Sequence, residues 1–420
     1  FCFGLMIKAL AIRRFNNRWN IHFLENWQKF FPRFLFKTCF ICFIFCFLCN
    51  ISVFGQSALR VGDQFQESLL GGSLSVFTDK THTKNYEDIL LEQNFITLYN
   101  STLNLGFEDT PVWGRLVVEN TSRQEKELIL QFRKSFLDTL QLFSLQGQKM
   151  ILNAEYNWNK PYNLRPYPDI NPTFELLLKP KSKSTFYFKA VKNCGSWHLV
   201  PTVYDKKFYE AVYSKKLMLH SGILFGVFLL GFFFVFSFFV LSRHWIFLYY
   251  ALYQLFFLLF YFSATEFFHY FLHDTFPLFL INQFASSQYQ IGIYFLYALF
   301  AKLFFGVNKV HNPFLYGFFV IFESILVVSF LSSLFFYNAL EESNEFLKFI
   351  NFLGISLIIF IFLCLFVGYK EKVRGRYSFT FAQTPIFLAS IYWSLSSLGV
   401  VPKNQNFTFI FGLSFLAENI

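Results

Sequence analysis

After Lys216 the chain passes through one apolar stretch after another, each close to the roughly 20 residues an α-helix needs to cross bilayer hydrocarbon. They fall at about residues 219–241, 246–268, 278–304, 314–336, 346–368 and 379–399, and a seventh begins near Phe407. Hydrocarbon holds no water to satisfy free backbone groups, so apolar segments of this length fold as helices. Their connections are short, which makes successive helices antiparallel. This half of the chain reads as a membrane α-helical bundle of seven transmembrane helices, the last one truncated.

Composition agrees. Charged residues make up 15% of the chain, against 55% hydrophobic residues and 67 Phe. A soluble protein carries about 25% charged residues, so much of this surface must face lipid. The excess is uneven: residues 56–215 have the composition of a soluble domain. The formal charge of +10 sits largely before residue 38 and in alternate connections of the bundle. Membrane topology accounts for that placement, and no motif that reads a nucleic-acid groove accompanies it. Nucleic acid is excluded as a partner.

Those connections set the orientation. Arg243, then Lys302 with Lys309, then Lys370, Lys372, Arg374 and Arg376 mark the first, third and fifth. The fourth holds Glu341, Glu342 and Glu345 against Lys348; the second has Asp274, and the sixth has Lys403. Basic residues stay on the cytoplasmic side. The odd connections are therefore cytoplasmic, and the region before the bundle lies outside.

The N-terminal region gives the same topology. Residues 38–54 form an apolar run behind Lys8, Arg13, Arg14, Arg18, Lys29, Arg33 and Lys37. Val53 and Gly55 then stand at −3 and −1 before Gln56, the layout of a signal peptide; an uncleaved signal anchor is the alternative. Cys39, Cys42, Cys46 and Cys49 lie within that run with no His or acidic neighbour among them, which makes them apolar filler rather than a metal cluster. Residues 1–55 are thus a basic N-terminus with a signal peptide or anchor. The chain opens on Phe1 rather than Met and stops within an apolar segment at Ile420, so a longer protein is expected.

Between residues 56 and 215 the hydrophobic period changes to two. Leu128, Leu130 and Phe132 alternate with their neighbours, as do Phe186, Phe188 and Ala190. Similar short runs occur at 112–118, 137–143 and 174–178, separated by turn residues at Asn120-Thr121-Ser122, Gln146-Gly147 and Lys179-Pro180. Short alternating strands at this spacing predict an all-β antiparallel sandwich, with a short helix at Asn85–Leu91. Its single cysteine, Cys194, allows no internal disulfide.

Beside the layout of an exported sandwich ahead of seven helices stand local stretches of text: Leu74–Asp79, Leu105-Gly106-Phe107, Val112–Leu116, Glu119-Asn120, Phe136–Asp138 and Arg165-Pro166 in the sandwich, and Gly222–Gly226, Tyr249–Tyr253, Gly399–Pro402, Gly412 and Glu418 in the bundle. In layout and in these stretches the chain resembles the bacterial seven-transmembrane receptors with diverse intracellular signalling modules, and the sandwich resembles their type-two extracellular sensing domain, a jelly roll. The resemblance covers residues 65–420. Gly114, where the family carries a bulkier residue, and Glu266, where a small one is usual, depart from it. It implies a receptor that senses an extracytoplasmic small molecule or carbohydrate and relays the signal to a cytoplasmic module or protein, absent here, that would be a kinase, cyclase or phosphatase. It places the chain in a bacterial inner membrane with the β domain in the periplasm.

Candidate ligand residues are Trp113 and Arg115, which share one face of a strand, and the loop aromatics Trp158, Tyr162, Tyr167 and Trp197. An aromatic beside an Arg suits a sugar ring; equally, Trp113 can anchor the core, the preferred reading there. Glu323 lies deep in the fourth span, where a carboxylate must be neutral or face a polar partner; Gln254 and Gln383 are the candidates, with a structural hydrogen bond or a coupling role in prospect. Lys302 lies near enough to the cytoplasmic end to snorkel. Glu266, His269, His273 and Asp274 cluster at the outer end of the second span, where ordinary solvation is preferred over metal or proton sensing. The Asn100 and Asn120 triplets match the glycosylation sequon. No cofactor and no catalytic site are expected in this portion. A homodimer stays open, as does a rival reading as a transporter or channel with an exported β domain; a membrane enzyme acting on envelope glycans or lipids is a remoter one.

Overall fold

The computed structural model describes residues 58–98, 102–133, 137–158, 160, 162–265, 267, 283–336, 340, 343–373, 375–401 and 410–415. The signal segment, the four N-terminal cysteines, Glu266, His269, His273, Asp274 and the start of the seventh span lie outside these residues.

The exported region is a sandwich of two sheets. One joins β3 (Leu74–Thr78), β4 (Ile96–Thr97), β6 (Val112–Asn120), β8 (Thr139–Gln146), β9 (Lys149–Asn157) and β11 (Lys183–Val191) in the order β4-β3-β6-β11-β8-β9, and β1 (Leu59–Val61) pairs parallel to β6. The other runs β10-β7-β12-β2, formed by Thr173–Leu178, Lys126–Arg133, Ser196–Asp205 and Glu67–Leu69, with β5 (Leu103–Phe107) on β12. Alternation does what the sequence predicts: Leu128, Leu130, Phe132, Phe188 and Ala190 are buried between the sheets. Burial of this kind contributes roughly 1.5–3 kcal/mol for each large side chain. The predicted helix is α1 (Tyr86–Leu91), held by a capping box between Asn85 and Asp88.

Two details follow from local packing. Gly114 sits opposite Phe188 in the β6–β11 ladder, and a Cβ there would meet the Phe188 ring at 2.1 Å. The ring fills the space of the missing side chain and packs edge-on against Phe132, 4.8 Å between centroids. The departure at Gly114 is thus matched by a neighbouring aromatic. Asn120 is buried, and its Nδ2 donates to the carbonyls of Gln124, Leu178 and Lys179, tying two turns together. That nitrogen is closed to a glycan, so the second sequon match is structural.

The bundle follows without a break. Helix α2 (Lys206–Ser242) leaves β12 directly, with a π-helical turn at Tyr209–Tyr213. It is followed by α3 (Trp245–Ala264), α4 (Gln283–Phe304), α5 (Pro313–Phe335), α6 (Asn344–Lys370) and α7 (Arg376–Ser397); residues 410–415 are again helical. Four of these (α2, α3, α5 and α6) are long and apolar enough to cross a membrane by length and composition. At 22 residues each, α4 and α7 reach about 33 Å but carry more polar residues. Those residues turn inward: Gln288 of α4 and Gln383, Ser394, Ser396 and Ser397 of α7 are buried. Lipid-facing positions such as Leu219, Leu230 and Leu241 of α2 stay exposed.

Candidate functional site

The sequence-selected aromatics do not gather at one point. Trp113 is 1% exposed and sits on the outward side of its sheet, under α1 and beside Phe143 and Met150. Arg115, on the same face, lies over the Phe95 ring at 5.0 Å. Trp197 is fully buried in the sandwich core and donates its indole N–H to the Glu108 carbonyl at 2.7 Å. Neither indole offers a face to a sugar, because each closes a layer of the fold. Trp158 packs half-buried against the core edge. Tyr167 is elsewhere again, at the base of the sandwich, donating to Glu210 at 3.1 Å.

The structure brings other residues together, at the junction of sandwich and bundle. Asn104 in β5 donates its amide to the carbonyls of Ser396 (2.8 Å), in the last turn of α7, and Val401 (2.9 Å), just beyond it. Helix ends leave carbonyls short of intrahelical donors; the Ser396 carbonyl accepts from the Gly399 N–H at 3.0 Å, and Asn104 adds a donor from another domain. Its Oδ1 accepts from the Gly106 N–H at 3.1 Å. Gly106 (φ +69°) and Gly399 (φ +78°) meet face to face, and a Cβ on Gly399 would lie 3.0 Å from the Gly106 backbone. Both positions combine a left-handed backbone with contact too close for a side chain. A second tie runs from the Gly195 N–H to Asn344 Oδ1, 2.8 Å, at the start of α6. Ile170 packs into the apolar core of the bundle.

The covalent passage into α2 is stiffened by aromatic rings. Tyr204 of β12 packs on Tyr209 and Tyr213 of the π-helical turn, with centroids 5.1 and 4.7 Å apart, and Tyr167 packs edge-on against Tyr209. The Arg133 guanidinium lies over Tyr204 and Tyr213 and donates to the Tyr204 hydroxyl. Gln131 Nε2 donates to the Tyr209 hydroxyl (2.6 Å) and to Asp169 Oδ2 (3.2 Å). The same cluster buries Ile129, so β7 is covered on both faces where simple alternation predicts one. Burial pushes the Asp169 carboxyl up to about 7, against the lowering effect of N–H donors from Asn171 and Ile170, nearby Arg165 and Gln131.

Within the bundle, Glu323 does not meet the glutamines expected from sequence. Lys302 Nζ reaches both of its oxygens, at 2.7 and 2.8 Å, while lying over the Tyr316 ring. Lys302 therefore turns back into the bundle instead of snorkelling outward. Gln254 is buried on α3 within 3.5 Å of where a Gly231 Cβ would stand, and Gln383 lines an interior cavity. Among the described residues, no three His, Cys, Asp or Glu side chains converge to hold a metal.

Of the junction residues, Asn104, Asn344, Gln131 and Asp169 escape a reading by residue type. The one available signal is that Leu105-Gly106-Phe107 and Gly399-Val400-Val401 are both family-like text. In the folded chain these two stretches touch.

Comparison with family models gives two matches, to 7TMR-DISM extracellular 2 over residues 71–204 and to 7TM diverse intracellular signalling over residues 217–420. No curated protein matched the sequence.

Proposed function

The chain belongs to the seven-transmembrane receptors with diverse intracellular signalling modules, and from its type-two extracellular domain and seven-helix domain we propose how it senses and relays. It is a transmembrane receptor-like sensor with an extracellular domain. In the proposed cycle the sandwich takes up a small molecule or carbohydrate in the periplasm of a bacterial inner membrane. A shift of the sandwich then reaches the bundle through the β5–α7 contact and the β12–α2 passage. A cytoplasmic signalling module or partner protein reads the resulting bundle state, and this portion itself catalyses nothing.

The observation that carries the reading is the engagement of Ser396 and Val401 by Asn104. Any ligand-induced tilt of the sandwich changes how the end of α7 is held. Such a relay needs a ligand that binds one arrangement better than the other, and its differential affinity sets the size of the response. The test uses the full chain in nanodiscs, screened against an array of neutral oligosaccharides, with amide hydrogen exchange followed at residues 103–107 and 394–401. The expected result is a binder that alters exchange in both segments, and in the second only while Asn104 is present. Binding that leaves 394–401 unchanged would overturn the relay, and the lack of any binder on the array would overturn the carbohydrate assignment.

A further inference from the structure

Midway along the bundle lies a partly open cavity of about 80 Å³, bounded by α3, α4, α6, α7 and Phe411 of the 410–415 segment. Its walls are largely aromatic, with Tyr294 and Trp393 among them, and its polar side chains are Gln290, Gln383, Ser390 and Ser394. Gln383, Ser390 and Ser394 recur at the helical period, so one stripe of α7 faces the space. Pro385, on another side of α7 two residues after Gln383, supplies no backbone N–H, which loosens the helix at that level. None of the lining residues is charged.

We propose that this cavity is a ligand site for a small neutral molecule with one aromatic ring and one hydrogen-bonding group. Ligand pockets combine apolar walls with a few placed polar groups, as here. Aromatic walls favour a ring that stacks or packs edge-on. The amides and hydroxyls favour a ligand that carries a hydroxyl or carbonyl, because a polar ligand group placed there finds hydrogen-bonding side chains in reach. An ionised ligand finds no counter-charge among the lining residues and is rejected. Ser394 lies two residues before Ser396, which accepts from Asn104, so occupancy bears on the turn that holds the ectodomain. This site lies apart from the proposed extracellular one and stands or falls without it.

The test photolabels the full chain in nanodiscs with 4-azidophenol and maps the adducts by peptide mass spectrometry. Expected are adducts concentrated at 290–297 and 383–394. Phenol should compete for them at least tenfold better than toluene or benzoate. Ser390→Phe, which fills the cavity, should reduce them at least tenfold, and Ser390→Ala should retain them. If Ser390→Phe fails to fold, Gln383→Leu replaces it and should remove the preference for phenol over toluene. Adducts spread evenly over the lipid-facing side of α2 and α5, or phenol competing no better than toluene in the unmutated chain, would show simple partitioning into the bilayer and overturn the site.

Discussion

The side-chain amide of Asn104, on a strand of the sandwich, donates to the backbone carbonyl of Ser396, 292 residues later at the end of α7, at 2.8 Å. The same nitrogen serves Val401. Asn104→Leu removes both bonds, leaving the Ser396 carbonyl to the Gly399 N–H, 3.0 Å away, and taking the side-chain donor from Val401. At about 1 kcal/mol net for each bond, the contact loses roughly 2 kcal/mol. Amide exchange at 396–401 should quicken by about tenfold or more while exchange within β7 and β11 stays the same. Equal loosening of both regions would mean that Asn104 supports the sandwich itself and not the junction.

The Lys302–Glu323 pair gives a second expectation. Both side chains are mostly buried, 17% and 15% exposed. Removing one partner leaves an uncompensated charge in a poorly hydrated place, at a cost of about 3–5 kcal/mol, whereas removing both avoids it. Glu323→Leu and Lys302→Met should each lower the yield of folded, monodisperse protein and its thermal midpoint. The double variant should recover most of the loss. Additive losses in the double variant would show that the two groups act separately.

How far the sequence reveals this molecule depends on the kind of information involved. Period-two alternation at Leu128–Phe132 and the capping residues Asn85 and Asp88 are local signals, and the strands and α1 follow from them. The succession of apolar runs likewise marks the bundle. Pairings across the bundle are not local. In a membrane helix both faces are apolar, so hydrophobicity does not say that Lys302 faces Glu323 or that Gln383 faces a cavity. Trp113 and Trp197 show the same gap in the sandwich: residue type suits both a binding surface and a core, and only the packing of α1 and Glu108 decides for burial. The junction is least legible, since Asn104 acts on carbonyls, which carry no sequence identity.

Gly114 and Phe188 form a matched pair, and mutation should show it. Gly114→Val places side-chain atoms where the Phe188 ring lies, forcing the ring off its contact with Phe132. Overpacking of this kind costs about 1–3 kcal/mol. Thermal unfolding of the full chain should show a lower midpoint for the sandwich, partly restored by adding Phe188→Ala. No restoration in the double variant would mean that strand twist, and not the ring, requires glycine.

Asp169 should make the junction sensitive to pH, with a sign that follows from its buried environment. Burial raises its carboxyl from 3.8 to about 7, so the folded chain holds this proton more tightly than the unfolded chain does. Its contribution to stability is fully present below pH 3.8 and is lost as pH rises through 7, where an unwelcome buried charge forms. The groups facing it are Gln131, Arg165 and the backbone donors of Ile170 and Asn171; Gln131 also holds the Tyr209 hydroxyl. Asp169→Asn keeps the shape and removes the titration. Between pH 5 and pH 8 the unmutated chain should lose on the order of 2–4 kcal/mol at this region that the variant keeps. The measurement is the thermal midpoint of the sandwich in nanodiscs at both pH values, with amide exchange at 204–213 as the local readout. A variant whose midpoint and exchange follow pH as the parent's do would assign the dependence to other groups. If only the parent loosens at 204–213 as pH rises, deprotonation of Asp169 weakens the Gln131–Tyr209 hold on the first helix, and the passage from sandwich to bundle responds to pH near neutrality.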